Sequence, residues 1–340
     1  MTRLVQQLLR EYGNPVRERM MSYLPRGRPR RYLYDPLAEY PRRGGRGMRP
    51  TLCVATARVF GRSVEDAVLT ATSIEMMHNA MLIHDDIEDE SEDRRGKPAL
   101  HRQQGVPLAI NTGDALALFS MQPLFDNRHV LGAPLAMRLL EETARMSQES
   151  AEGQAMELGW RHDNVMDLSE RDYLEMVLKK TCWLATIHPL RTGAMIGAGP
   201  NFPFDSLIRF GFLLGAAFQI QDDLLNLVGD AARYGKELDG DIYEGKRSLM
   251  LIRLMEQATP TERERLRVFL GLPRGQRSPE EIRWIRGRMD HYGCIEHARE
   301  LAHGLAGAAT YEFERIFGGL PDSRDKRFLA ELPAWVIERS

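Results

Sequence analysis

The 340-residue chain is 43% hydrophobic and 28% charged with a formal net charge of −2, the balance of a globular protein with room for one large domain or two small ones. That charge argues against a generic nucleic-acid binder, which would be strongly basic. There is no apolar run of the roughly 18 residues a membrane span needs. Cys53, Cys182 and Cys294 are too scattered for a disulfide framework or a zinc site, and a cytoplasmic location is expected.

The N-terminal MTRLVQQLLREYG is amphipathic and lacks the apolar core of a signal peptide. Residues 25–47, rich in Pro, Gly and Arg, are expected to be mainly loop, with Arg42 and Arg43 as solvated charges. Beyond them, apolar residues recur at three- and four-residue spacing. This predicts helices over 63–90, 106–126, 131–161, 168–198, 204–229, 241–257, 261–270, 278–291, 293–317 and 324–338, with Pro189 kinking the one it interrupts. The stretch 204–221 is apolar nearly all round and should be buried. No alternating strand pattern stands out. The expected fold is all-α, a large single-domain helical bundle over 1–340.

Two acidic clusters each follow an apolar stretch: Asp85-Asp86-Ile87-Glu88-Asp89 and Asp222-Asp223-Leu224-Leu225-Asn226. On a helix Asp85 and Asp89 share a face, roughly 5–6 Å apart at their β-carbons, and His78 points roughly the same way. Gln219, Asp222, Asp223 and Asn226 form a second such face. Carboxylates crowded beside apolar surface repel one another and lose hydration, so they call for a compensating charge. Hard cations such as Mg²⁺, shared with a polyanionic substrate, supply it. A solvated helix end would explain one cluster; two clusters, each behind an apolar helix, point to a site.

Cationic segments recur around them. Arg94-Arg95-Gly96 follows the first cluster, and Gly44-Gly45-Arg46-Gly47-Met48-Arg49-Pro50 combines glycines, two guanidiniums and a helix-opening proline. Lys180-Thr181 interrupts another apolar helix, and Lys236 and Lys246 follow the second cluster. Guanidinium forks and helix N-termini suit phosphate oxygens.

In this order the residues resemble the trans-isoprenyl diphosphate synthases. The likeness runs from about Gly44 to Ser248, through GGRGMRP, HDDIED with its trailing RRG, GQAMEL, KTCWL, FQIQDDLLN and GKELDGDIYEGKRSL. It implies an isoprenoid-synthase bundle around a deep central cavity, a catalytic core over about 44–258 behind an N-terminal helix and loop (1–47), and a homodimer. The implied substrates are isopentenyl diphosphate and an allylic diphosphate. Asp85 and Asp89 would hold two Mg²⁺ ions, and Asp222, supported by Asp223, a third. Arg94, Lys180 and Lys246 would contact the allylic diphosphate, and Lys236 would help close over it. Arg46, Arg49, His78 and Arg95 would hold isopentenyl diphosphate, while Thr181 and Gln219 place dipoles near a developing carbocation. Two departures stand out: Arg46 occupies a lysine position, and Asn226 replaces the last aspartate of the second motif.

The implied reaction is ionisation, condensation and elimination, with released pyrophosphate as the base. Residues one and two turns before Asp85 (Met81, Ala80 and Met77) would line the tail's route. They are small or flexible, which points to a C20 geranylgeranyl product, with C15 and C25 or longer as alternatives. A floor is expected deeper down or around Leu116 and Phe119. A class I terpene cyclase would not need the second diphosphate site, and a non-catalytic subunit would not be expected to keep the first cluster intact.

Overall fold

The computed structural model describes residues 3–199, 201–229 and 239–338. Numbering the longer helices in chain order, α1 is Arg3–Tyr23, α2 Met48–Val59, α3 Val64–Glu88, α4 Val106–Phe119, α5 Met121–Val130 and α6 Ala133–His162. Then come α7 Glu170–Val177, a π-helical stretch Leu178–Ile187 and α8 His188–Gly197, followed by α9 Ser206–Val228. The rest are α10 Leu249–Gln257, α11 Pro260–Leu270, α12 Pro279–His291, α13 Cys294–Phe317 and α14 Arg324–Glu338. The all-α expectation holds. Strand among the described residues is confined to a hairpin pairing Asp93–Arg94 with Lys97–Pro98.

Helix α3 is the central post. Ser63 starts it with a capping box: its hydroxyl accepts from Asp66 N–H, and the Asp66 carboxylate accepts from Ser63 N–H at 3.0 Å. From Ala67 to Ala80 it is buried on nearly every side, packed by α1, α2, α4 and α5. Helix α9 is the other buried helix, clasped by α13 and the π-helical stretch. Phe210 of α9 meets Phe313 and Phe317 of α13 with ring centroids 6.2 and 6.1 Å apart. Such pairs add about 1 kcal/mol each beyond area burial. Cys53, Cys182 and Cys294 are buried free thiols.

Several expected boundaries shift. The helix expected over 106–126 breaks at Ser120, and that over 241–257 splits into a turn Gly240–Glu244 and α10. Between the latter two, Gly245 adopts φ +70°, which favours glycine and ends the turn. Ahead of Pro189, where a kink was expected, the helix widens into the ten-residue π-helical stretch Leu178–Ile187. Proline cannot donate to Ala185 and its ring crowds that carbonyl, so a wider turn is favoured there.

Residues 25–47 are less loop-like than expected, with helical turns at Arg30–Tyr34, Asp35–Leu37 and Glu39–Arg43. Leu37, Ala38 and Tyr40 are buried against Met76, Ala80 and Ile83 of α3, and tertiary packing outweighs local composition. Arg43 is accordingly no solvated charge: its side chain is 1% exposed and donates to the backbone oxygen of Arg94 at 3.0 Å.

Among the described residues, no helix is long and apolar enough to cross a membrane.

Candidate active site

Helices α3, α6 and α9 and the π-helical stretch enclose a cavity of about 360 Å³. Its polar lining includes Asp85 and His78 from α3, Glu157 from α6, Lys180 and Thr181 from the π stretch, and Gln219, Asp222 and Asp223 from α9. Arg49, Arg94, Asp241 and Lys246 border it, and Met81, Met176, Val177, Leu184 and Phe218 form an apolar wall. Gly153 lets α6 lie directly against Lys180: a β-carbon there would collide with the Lys180 backbone nitrogen.

The first acidic cluster divides by direction. Asp85 faces the cavity, with Lys180 Nζ 3.4 Å from one carboxylate oxygen and Arg94 Nη2 3.6 Å from the other. Asp86, about 100° further round the helix, is fully buried and bound by the Arg94 fork and the Tyr40 hydroxyl. Asp89 is only 1% exposed at its side chain, held by Arg161 at 2.6 Å and Lys246 at 2.7 Å. Burial opposes its ionisation, yet Lys246, Lys180 and Arg161 keep the carboxyl below its ordinary range.

The three expected cations are all held by acids. Lys180 pairs with Glu157 as well as Asp85. Lys246 pairs with Asp89 and Glu244, each at 2.7 Å. Burial would lower both ammonium pKa values, but the surrounding carboxylates raise them above the ordinary lysine value. Arg94 is likewise raised, against burial, by Asp86 and Asp85. Glu244 is pushed up to about 7 by burial, opposed by Lys246 and reinforced by Asp89 and Asp241.

In the second cluster Asp223 accepts from Tyr173 Oη at 2.8 Å and Gln219 Nε2 at 2.7 Å. Thr181 Oγ1 in turn donates to Gln219 Oε1 at 3.0 Å. Burial and the neighbouring Asp241 push Asp223 up to about 8. Asn226 does not share the cavity face as expected. Its side-chain oxygen accepts from Asp241 N–H at 3.1 Å, securing the turn that carries Asp241 to the cavity. Asp241 carries no assignment in the sequence reading of GDIYEGK, where only Lys246 is singled out.

Among the described residues, no three acidic, histidine or cysteine side chains gather tightly enough to ligate one ion by themselves. Mg²⁺ does not require that, since it keeps waters and shares its positions between a few carboxylates and substrate phosphates. The all-oxygen donor set suits it. Asp223, desolvated beside Asp241, is the kind of charge a bound cation would relieve.

The residues expected at the second diphosphate are spread over two recesses. Arg49 and His78 line the main cavity, whereas Arg95 lines a smaller cleft with Gly44, Gly45, Gly47, Glu75 and Asn79. Arg46 is exposed and lines neither. Glu75, missed in the sequence, sits 3.4 Å from His78 Nδ1. Burial, aided by Arg49, pushes His78 down to about 4, and burial lowers Arg49 to about 10. Near neutral pH these are a neutral imidazole and a charged guanidinium. Lys236 lies outside the described residues.

Of the three residues expected along the tail's route, Met81 borders the cavity, while Met77 and Ala80 are packed in the core away from its lining. Leu116 is also core, and Phe119 packs against it. Phe218 and Leu184 supply bulk at the cavity instead.

A helix-lined cavity combining two acidic clusters with basic and apolar walls defines a class of enzymes acting on diphosphates with apolar tails. The polyprenyl synthetase family model matches residues 30–289. The chain is 32% identical to a short chain isoprenyl diphosphate synthase from Methanothermobacter thermautotrophicus, over 98% of each chain. It is 30% identical to a geranylgeranyl pyrophosphate synthase from Geoglobus acetivorans, over 99% of each. A geranylfarnesyl diphosphate synthase from Natronomonas pharaonis is also 30% identical, over 99% of this chain and 98% of that one. Among solved structures, geranylgeranyl pyrophosphate synthetase from Pyrococcus horikoshii superposes with a TM-score of 0.87 at 29% identity, covering 99% of this chain and 98% of that one. A geranylgeranyl pyrophosphate synthase from Corynebacterium glutamicum, complexed with isoprenyl diphosphate and magnesium, gives 0.86 at 26% identity, covering 98% and 99%. The chain belongs to the polyprenyl synthetase family. It is a prenyltransferase of the trans-isoprenyl diphosphate synthase type.

Proposed function

We propose that this enzyme condenses isopentenyl diphosphate with dimethylallyl, geranyl or farnesyl diphosphate, and that its main product is all-trans geranylgeranyl diphosphate (C20). The observation carrying the reading is that Asp85, Asp222 and Asp223 line one cavity with Arg94, Lys180 and Lys246 and with an apolar wall including Met81, Leu184 and Phe218. Charged walls suit a diphosphate head and apolar walls its tail.

Asp85, Asp89, Asp222 and Asp223 are the residues that would hold Mg²⁺, with three ions expected, as magnesium accompanies isoprenyl diphosphate in the Corynebacterium glutamicum structure. When bound, the metal supplies Lewis-acid stabilisation of a departing diphosphate. Arg94, Lys180 and Lys246 add fixed positive charge where pyrophosphate charge develops. Thr181 and Gln219 orient their oxygen dipoles through their mutual hydrogen bond. Arg49, His78 and Arg95, with Arg46, bind isopentenyl diphosphate, and Lys236 contributes to closure. Excluding water from the cavity prevents quenching of the allylic cation.

The enzyme works as a cytoplasmic homodimer in this reading. Supporting the dimer, Val106, Ile110, Leu118, Phe125, Val130 and Met137 are large, exposed apolar residues on α4, α5 and the start of α6. Such surface is normally covered by a partner.

The test is product analysis after incubation with Mg²⁺, isopentenyl diphosphate and each allylic primer in turn. Elongated diphosphates with C20 dominant are expected. Dominant C15 or C25 would overturn the product assignment. Cyclic hydrocarbon from an allylic substrate alone would indicate a cyclase, and no product a non-catalytic subunit.

A further inference from the structure

Asp86, the second residue of the DDIED cluster, is fully buried and faces away from the cavity its neighbour Asp85 lines. Arg94 Nε donates to its two oxygens at 2.9 and 3.1 Å, and Arg94 Nη2 closes the fork. The Tyr40 hydroxyl donates to Asp86 Oδ2 at 2.5 Å and accepts from Leu100 N–H at 3.0 Å. Tyr40 is itself fully buried, in a helical turn from a different part of the chain.

The same residue reaches the next arginine through its backbone. Tyr40 O accepts from Arg95 Nη1 at 3.1 Å. Arg95 and Gly96 both have positive φ, +54° and +73°, and form the two-residue turn of the 93–98 hairpin. Arg94 borders the main cavity and Arg95 the smaller cleft. Arg43, from the Tyr40 turn, stacks on the Tyr40 ring at 4.7 Å and donates to the Arg94 carbonyl.

We propose that Tyr40 is a positioning residue for the condensation, its hydroxyl acting through Asp86 to set the Arg94 guanidinium and its carbonyl setting Arg95. A guanidinium gripped on one edge by a buried carboxylate presents its remaining donors in a fixed plane. Asp86 must stay in place for that, and the Tyr40 hydroxyl occupies the lone pairs Arg94 leaves. Tyr40 thus ties together the arginines of the two recesses.

The inference rests on the proposed roles of Arg94 and Arg95 toward diphosphates. Tyr40→Phe keeps the ring, its packing and the carbonyl, and removes only the hydroxyl. Wild-type elongation of an allylic primer tests the functional reading. Comparing wild type with Y40F in that assay tests the inference separately. The KM for the allylic diphosphate should rise about tenfold, the scale of losing one hydrogen bond to a charged group. The KM for isopentenyl diphosphate should move less than twofold. In an Arg94→Lys background, adding Y40F should change neither value further, because the fork it serves is gone.

Equal rises in both KM values, an additive double mutant, or wild-type values throughout would overturn the proposal. Should Y40F fail to fold, Asp86→Asn carries the same test. If neither folds, the network supports the fold rather than the reaction, and the proposal fails.

Discussion

Lys246 Nζ lies 2.7 Å from Asp89 Oδ2, so the last carboxylate of the first acidic cluster is joined directly to the segment that follows the second. Glu244 also lies 2.7 Å from Lys246, which shares Asp89 with Arg161 and Glu244 with Arg274. Replacing Lys246 by Gln leaves each acid one cation short, with Arg161 and Arg274 still in place. We expect a loss of about 2 kcal/mol in stability, the scale of a hydrogen bond to a charged group. Chemical denaturation measures that loss, and turnover should fall at least about 100-fold if Lys246 also meets the leaving diphosphate.

Met81 and Ala80 are adjacent in sequence and differ in surroundings. Met81 borders the cavity, whereas Ala80 is 1% exposed within the core. Met81→Phe should shorten the product in chromatography of the dephosphorylated prenols while leaving the melting temperature nearly unchanged. Ala80→Phe should overpack the core and cost about 1–3 kcal/mol. An unchanged product distribution in M81F would rule out this wall assignment.

His188 is 1% exposed, with Thr143 Oγ1 3.5 Å from its Nε2. Burial pushes it down from 6.5 to about 4, with Glu142 opposing and Arg191 reinforcing the shift. A histidine depressed in the folded state contributes stability above its unfolded pKa, and that contribution is lost as pH falls toward the folded value. The protein should therefore lose about 3 kcal/mol between pH 6.5 and 4 from this group. Denaturation curves of His188→Gln over that window should be flatter by that amount.

Leu118 is 73% exposed and Phe125 52% exposed. A Leu118→Glu, Phe125→Glu double variant should sediment as a monomer if this surface holds the dimer, while retaining wild-type helical circular dichroism. Wild-type protein sedimenting as a monomer would remove the dimer reading.

Removing divalent cations with a chelator should abolish elongation and leave the fold intact. Helical circular dichroism at 222 nm reports the fold, and radiolabelled prenyl product reports activity. Adding Mg²⁺ together with a non-reactive diphosphate analogue should then raise the melting temperature by binding linkage. No rise with either ligand alone or with both would count against a metal-diphosphate site.

The sequence alone was enough to read the helices around Asp85 and Asp222, because helical periodicity and side-chain spacing are local properties. It also supplied the recognition of Lys180, Thr181, Gln219 and Lys246, which lie in recurring motifs. Local spacing could not say which way each acid turns in the packed bundle. Asp85, Asp86 and Asp89 read alike as a run, yet one lines the cavity, one is buried with Arg94, and one is closed by Arg161, 72 residues away. Tyr40 lies 46 residues from Asp86 in a segment whose composition suggested loop, so its role emerges only when the bundle packs that segment onto α3. Asn226, a departure from the second motif's last aspartate, secures the turn bearing Asp241. The sequence by itself determined an all-α prenyltransferase and marked its motif aspartates, lysines and arginines, but not Glu75 or Asp241. Tertiary structure decided their pairing, because a buried charge must find its counter-charge wherever packing brings one within reach.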